Sequence, residues 1–156
     1  MDTALTTTLA DARGRWVLEA YAAAKSEWRL SGVSGDGIIN IAIDRAFVDE
    51  TGVRWIIDFK TGSHEGGDPE AFLDNEQRRY RGQLELYAAL IAALHPADGK
   101  APIRLGLYFP MLSGWREWPW SGQPAVGAGG RASTSTGAGT GTGTGTGIDA
   151  GTNTNV

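Results

Sequence analysis

The residues best placed to do chemistry flank one short turn. Asp44 sits in the run GIINIAIDRAFV at 37–48, and Asp58 and Lys60 lie at the end of VRWIIDFK at 53–60. Both runs are rich in β-branched and aromatic residues, the composition of strands. Side chains alternate along a strand, so Asp58 and Lys60 point the same way, ~7 Å apart along the backbone. Glu50-Thr51-Gly52 suits a three-residue hairpin loop with glycine at its last, left-handed position. That loop sets residue 49 opposite 53 and so Asp44 opposite Asp58, with Cβ atoms ~5 Å apart. Two carboxylates so close repel unless a cation lies between them. Oxygen ligands without cysteine or histidine favour a hard divalent ion, Mg²⁺ or Mn²⁺. An Asp beside a Lys on a strand is commonly a solvated ion pair. Here the pair follows the apolar run Val53 to Ile57 and Asp44 ends a second one, and a charge cluster inside a sheet is too costly to be incidental packing.

A second group lies downstream. Gln83 and Tyr87 are spaced i, i+4 and share one face of a predicted helix. Alone, Tyr87 would be read as a core aromatic and Gln83 as a solvated position. Arg78, Arg79 and Arg81 are the densest basic feature of the chain, and arginine suits phosphate recognition, although three within four residues cannot all face one ligand. Gly82 costs ~1 kcal/mol relative to alanine inside a helix, which suggests close packing or close ligand approach.

The elements that must carry these residues follow from periodicity. A helix is predicted over 6–24, capped by Thr6, Thr7 or Thr8, with Leu9, Trp16, Val17, Ala20 and Tyr21 as its stripe and Gly14 as a weak point. Short strands follow at 26–33, 37–48 and 53–60. In the second, Ile39, Ile41, Ile43 and Phe47 form one apolar face. In the third, Trp55, Ile57 and Phe59 share one side, and Ile56, Asp58 and Lys60 the other. After a glycine-bearing loop, Asp68-Pro69 marks a helix start, and the helix runs to about Leu94 before Pro96. Two more strands, 102–110 and 114–120, complete the order α-β-β-β-α-β-β, an α/β fold with a mixed central sheet flanked by helices.

Composition bounds the rest. The 156 residues carry a formal net charge of −4, so no global basic field draws the chain to a polyanion, and any such binding needs a local patch. Cysteine is absent, which excludes disulfides, thiolate zinc sites and cysteine nucleophiles, and two histidines leave little for a histidine-rich site. No apolar run approaches the ~20 residues needed to span a bilayer, and Met1 to Ala10 has no signal-peptide pattern, so a cytoplasmic location is expected. Eleven of the 23 glycines fall in 122–156, which contains a Gly-Thr repeat and little to bury. That segment is expected to be a disordered tail, and 1–121 the folding domain.

The motifs together resemble a known family. Asp44…Asp58-Phe59-Lys60 followed by Gln83-Leu84-Glu85-Leu86-Tyr87 resembles the PD-(D/E)XK nuclease core, of restriction-endonuclease type, with its Q-x-x-x-Y motif. More closely, IDR…IIDFKTG…YRGQLELYA is similar to the C-terminal nuclease domain of RecB/AddA-type helicase–nucleases, in the UvrD-like helicase family. The resemblance spans roughly Ser26 to Trp118. It implies metal-dependent hydrolysis of DNA phosphodiesters in repair or recombination, as an exonuclease, with helicase motor domains normally on the same polypeptide. It assigns Asp44, Asp58 and the Phe59 carbonyl to a Mg²⁺ or Mn²⁺ ion. Lys60 would orient or help deprotonate the attacking water and stabilise charge on the phosphate. Gln83 and Tyr87 would position the DNA strand or the metal-site loops, and Glu27 would be an accessory acid. Arg78, Arg79 and Arg81 are candidate DNA contacts. Members of this type usually carry a metal-ligating histidine upstream of the first aspartate, whereas residues 1–43 contain none, and no Walker A motif occurs. The chain is therefore expected to be a fragment of a larger protein. The alternative is a catalytically impaired module that binds DNA ends or acts as a scaffold on the same fold.

Overall fold

The structure is a computed structural model that describes residues 3–35, 37–95 and 101–122. Elements run α1 (Thr3–Ala10), α2 (Ala12–Leu18), β1 (Lys25–Ser34), β2 (Gly37–Val48), β3 (Arg54–Phe59), α3 (Pro69–Leu94), β4 (Ile103–Phe109), a 3-10 turn at Pro110–Leu112 and β5 (Gly114–Pro119). The five strands form one mixed sheet in sequence order. Every neighbouring pair is antiparallel except β3 and β4, which are parallel and joined through α3. A parallel pair needs a crossover of a dozen or more residues, and α3 with its flanking loops provides it. The helix opens as its residues foretell, with the Asp68 carboxylate accepting from the Glu70 N–H and proline in the first turn. It closes at His95, whose N–H bonds to the Ile91 carbonyl. Pro96 lies outside the described residues, as do residues 123–156, nearly all of the segment expected to be a disordered tail.

Each face of the sheet has its own core. On one, Leu84, Ala88 and Ile91 of α3 pack with Ile41, Ile43, Ala46, Ile56, Leu105 and Leu107. On the other, Val17 of α2 packs with Phe47, Trp55, Ile57 and Tyr108, and Trp16 and Tyr21 lean on this cluster. Tyr21 stacks on Phe47 at 4.3 Å between ring centroids.

Two sequence expectations need correction. The helix predicted over 6–24 is two short helices followed by a non-helical stretch. Asp11 interrupts it with extended backbone and caps α2 by accepting the Gly14 N–H through its side chain. Thr7 and Thr8 do not cap. They lie inside α1 and donate back to the Thr3 and Ala4 carbonyls at 2.9 and 2.7 Å. Leu9, assigned to the buried stripe, is 53% exposed. Phe47 also leaves the face of Ile41 and Ile43, because the alternation of β2 slips by one residue around Asp44. Arg45, Ala46 and Phe47 are all buried there, and Ala46 rather than Phe47 rejoins the α3 side. Opposite the slip, Glu27 of β1 has a left-handed φ of 49°. Bulge-like irregularities of this sort bend a strand and re-aim its side chains.

The Asp11 break brings Gly14 against the Thr8 carbonyl and the Tyr108 hydroxyl, leaving a Cβ only 2.1 and 2.7 Å from those oxygens. Gly14→Ala is expected to destabilise by roughly 1–3 kcal/mol, as overpacking does. Gly62→Ala, with nothing within 4 Å, should be near neutral. Parallel denaturant titrations check this, and equal midpoints would contradict the packing described.

Candidate active site

The β2–β3 turn determines which residues meet. The Asp49 N–H bonds to the Val53 carbonyl at 2.9 Å, the Gly52 N–H bonds to the Asp49 carbonyl at 3.0 Å, and Gly52 has φ 84°. The Asp49 carboxylate accepts from the N–H groups of Thr51 and Val53, the Thr51 hydroxyl and the Trp55 indole. Burial would raise its pKa, but these hydrogen bonds hold it below the ordinary aspartate range. With the turn locked, Val48 pairs with Arg54 and Arg45 with Ile57. One step further sets Asp44 against Asp58, the predicted register.

Asp44 is half-buried, and its Oδ2 accepts the Phe59 N–H at 2.8 Å, tying the end of β3 to β2. Asp58 is 8% exposed. Burial, countered by Lys60 and reinforced by the Asp44 carboxylate beside it, pushes its pKa up to about 6. The Lys60 ammonium lies 2.6 Å from Asp58 Oδ2. That oxygen is buried and has no partner in hydrogen-bond alignment, so the contact is an ion pair rather than an aligned hydrogen bond. On its other side Lys60 Nζ stands 3.5 Å from the centroid of the Tyr80 ring. Asp44, Asp58 and Lys60 thus converge as the spacing foretold. Two adjacent carboxylates, one of them raised in pKa by burial and by its neighbour, form a donor pair that a hard divalent cation fits.

The other candidates divide. Gln83 donates to the Tyr87 hydroxyl at 2.5 Å, and Tyr87 is buried in the α3 core. Among the described residues neither hydrogen-bonds Asp44, Asp58 or Lys60. Glu27 is exposed, and among the described residues no three of His, Cys, Asp and Glu gather in a metal-holding cluster, so Glu27 does not join the two aspartates. Arg78 hydrogen-bonds Asn75, while Arg79 and Arg81 pair with Glu76 and Glu85 of the same helix. Gly82 is exposed, so close packing is not its reason for being there.

Two residues were missed. Tyr80 was legible, since it lies three residues before Gln83 and seven before Tyr87 on one helical face. Arg45 gave no such signal. Its buried guanidinium donates to the Val17 and Glu19 carbonyls at 3.0 and 2.7 Å and to Ser26 Oγ at 2.9 Å, holding the end of α2 against the strand that carries Asp44.

A family model described as the PD-(D/E)XK nuclease superfamily matches residues 3–128. The chain belongs to the PD-(D/E)XK nuclease superfamily. Its mixed sheet with flanking helices is consistent with the fold of that superfamily, whose members are usually metal-dependent nucleases. A search of curated proteins finds no match. Among the described residues no helix is long and apolar enough to cross a membrane.

The raised pKa of Asp58 has a definite thermodynamic sign. The folded state holds this proton more tightly than the unfolded chain, so stability is lost as pH rises from the ordinary value of 3.8 through about 6. Asp58→Asn removes the titration. In metal-free buffer, the melting temperature of the variant minus that of the native chain should grow between roughly pH 4 and pH 7 and level off above. Melts across that range check it, and a pH-independent difference would refute the burial argument.

Proposed function

We propose that this chain is a Mg²⁺- or Mn²⁺-dependent DNA exonuclease domain, of the kind attached to RecB/AddA-type helicases in DNA repair and recombination, working in the cytoplasm. The observation that carries the reading is a buried Asp58 beside Asp44 with the Lys60 ammonium 2.6 Å away. The helicase context is supported by the run from Ile57 to Gly62 together with Tyr80 to Ala88, in the order and on the elements that the resemblance implies.

Asp44 and Asp58 would hold the metal, with the Phe59 carbonyl as a third oxygen. When bound, such an ion stabilises charge on the phosphoryl oxygens and makes water more acidic. Hydrolysis joins the water oxygen to phosphorus, breaks the bond to the leaving oxygen and returns a proton to it. Lys60 supplies a cation on the phosphate side. With Asp58 holding a metal, the Tyr80 ring, 3.5 Å from Lys60 Nζ, would keep the ammonium in place through the attraction between a cation and a ring face. Asp58 must be ionised to act, so metal binding should strengthen as pH rises through about 6. Gln83 and Tyr87, bonded to each other, would order the helix face beside the strand being cut.

A second reading has its own observation. No third His, Cys, Asp or Glu joins the two aspartates among the described residues. That favours a module which binds DNA ends without cutting them.

Digestion of end-labelled linear single- and double-stranded DNA with Mg²⁺ or Mn²⁺ separates the two. Nucleotides released from an end are expected. Lys60→Ala should reduce cleavage by about 10²–10³-fold, the range for removing one preorganised charge-stabilising group, while leaving metal binding nearly intact. Asp58→Asn should remove both. A native chain that binds DNA ends tightly and releases no nucleotide with either metal would leave the binding module in place of the enzyme.

A further inference from the structure

Lys60 is fixed at its backbone and loose beyond it. Its N–H bonds to the Tyr108 carbonyl at 2.8 Å, continuing the pairing of β3 with β4. From there a flexible four-carbon stem carries an ammonium with three rotatable donors. Two neighbours restrain that ammonium. Asp58 Oδ2 lies 2.6 Å away, and the centroid of the Tyr80 ring 3.5 Å away. The carboxylate contact is not aligned as a hydrogen bond, and the same carboxylate is the one that would turn to a metal. The ring has no such second claim on it.

Three features single out the ring. The first is distance, since 3.5 Å is well inside the ~6 Å over which a ring face attracts a cation. The second is the outcome of a competition. Arg79 also reaches this ring, but at 5.3 Å, and its side chain is 69% exposed and paired with Glu76, whereas the Lys60 side chain is 21% exposed. The attraction grows as the cation loses water, so Lys60 is the cation the ring holds. The third is support. Tyr80 packs against the α3-side core, so the ring is itself held in place. It also shares a face of α3 with Gln83 and Tyr87, which are bonded to each other and lie ~4.5 and ~10.5 Å further along the helix axis. One rigid element thus carries both the seat of the ammonium and the pair assigned to the strand being cut.

We propose that Tyr80 is the positioning residue for Lys60: the ring face, rather than the Asp58 carboxylate, sets where the ammonium stands. The inference rests on the nuclease reading for what Lys60 is aimed at, a phosphodiester oxygen. It deepens that reading by making the aim independent of Asp58, which is then free to serve another cation. The attraction is to the electron-rich ring face and not to the hydroxyl. It therefore persists in phenylalanine and weakens as electrons are withdrawn from the ring.

Nuclear magnetic resonance of the full chain, isotope-labelled at lysine Cε, tests the seating in EDTA without metal or turnover. The chain has three lysines, Lys25, Lys60 and Lys100, and Lys60→Ala assigns the signal under the ring. Its ε-protons should be shifted upfield by the ring, and Tyr80→Leu should abolish the shift. Asp58→Asn removes the charge of the carboxylate and Asp58→Ala its oxygens as well, and both should leave the shift in place. Lys25, whose ammonium stands 5.1 Å from the Trp28 ring, is the internal control and should not move. Loss of the Lys60 shift in either Asp58 variant would overturn the proposal, because the carboxylate would then be what holds the ammonium. Turnover of linear DNA is the second arm. Tyr80→Leu should lower kcat about 3–30-fold with KM little changed, the range open to one cation–ring attraction. Tyr80→Phe should recover most of that loss. Phenylalanines bearing increasing numbers of ring fluorines at position 80 keep the shape of the ring and should lower kcat step by step, which a packing role would not do. A kcat indifferent to fluorination, or Tyr80→Phe as slow as Tyr80→Leu, would equally overturn it. A shift retained in the Asp58 variants of a chain that releases no nucleotide with Mg²⁺ or Mn²⁺ would remove the nuclease reading and leave the seating of Lys60 standing. Cleavage by the native chain, with the shift lost in those variants, would do the reverse.

Discussion

The hydrogen bonds that Asp49 makes within its own turn set the register on which the site depends. Four donors converge on that carboxylate, and the turn has room for no other loop length while they hold. A slip of one residue in β2 against β3 would send Asp44 to the opposite face from Asp58. The pair would then be two unrelated acids, one in each layer. A surface turn some five residues from the carboxylates therefore governs their meeting.

Bringing them together has an electrostatic cost that the fold only partly offsets. Asp58 is almost excluded from water and has Asp44 for a neighbour, and both conditions disfavour its charge. Lys60 supplies the opposite charge and the Tyr80 ring face supports Lys60. The remaining deficit appears as a raised pKa, the common signature of a site organised for chemistry rather than for stability. A divalent cation would remove the deficit directly, which is why the same feature serves as the strongest support for a metal-dependent activity.

The two layers divide the labour. Arg45 and the Tyr108–Asp11 hydrogen bond, at 2.9 Å, fasten the short N-terminal helices to one face of the sheet. The positive guanidinium meets the carbonyls at the end of α2, where the helix dipole favours a cation. On the other face α3 spans the crossover, holds Tyr80 over Lys60 and braces the β1–β2 hairpin through Leu90. The β1–β2 hairpin therefore rests on the same layer, α3, that places Tyr80 over Lys60.

The local chain was enough to mark the strands and the long helix. Alternating and β-branched runs, Asp68-Pro69 and the Glu50-Thr51-Gly52 loop are short-range signals whose physics lies within a few residues, and from them the meeting of Asp44, Asp58 and Lys60 could be derived. Contacts between distant segments were not legible. Asp11 breaks the first helix because its carboxylate serves both the Gly14 N–H and the Tyr108 hydroxyl, a partner 97 residues away. The slip of β2 that moves Phe47 to the other core depends on Arg45 reaching the end of α2. Tyr80 shares the helical face of Gln83 and Tyr87, a signal the sequence does hold, but that the ring stands over Lys60 shows only in the fold. Sequence alone therefore determined which residues carry charge and which strand positions they occupy, because alternation and turn geometry are properties of the local backbone. Only the tertiary structure decided how deeply Asp58 is buried and which side chains steady Lys60, because those depend on what the rest of the fold packs against them.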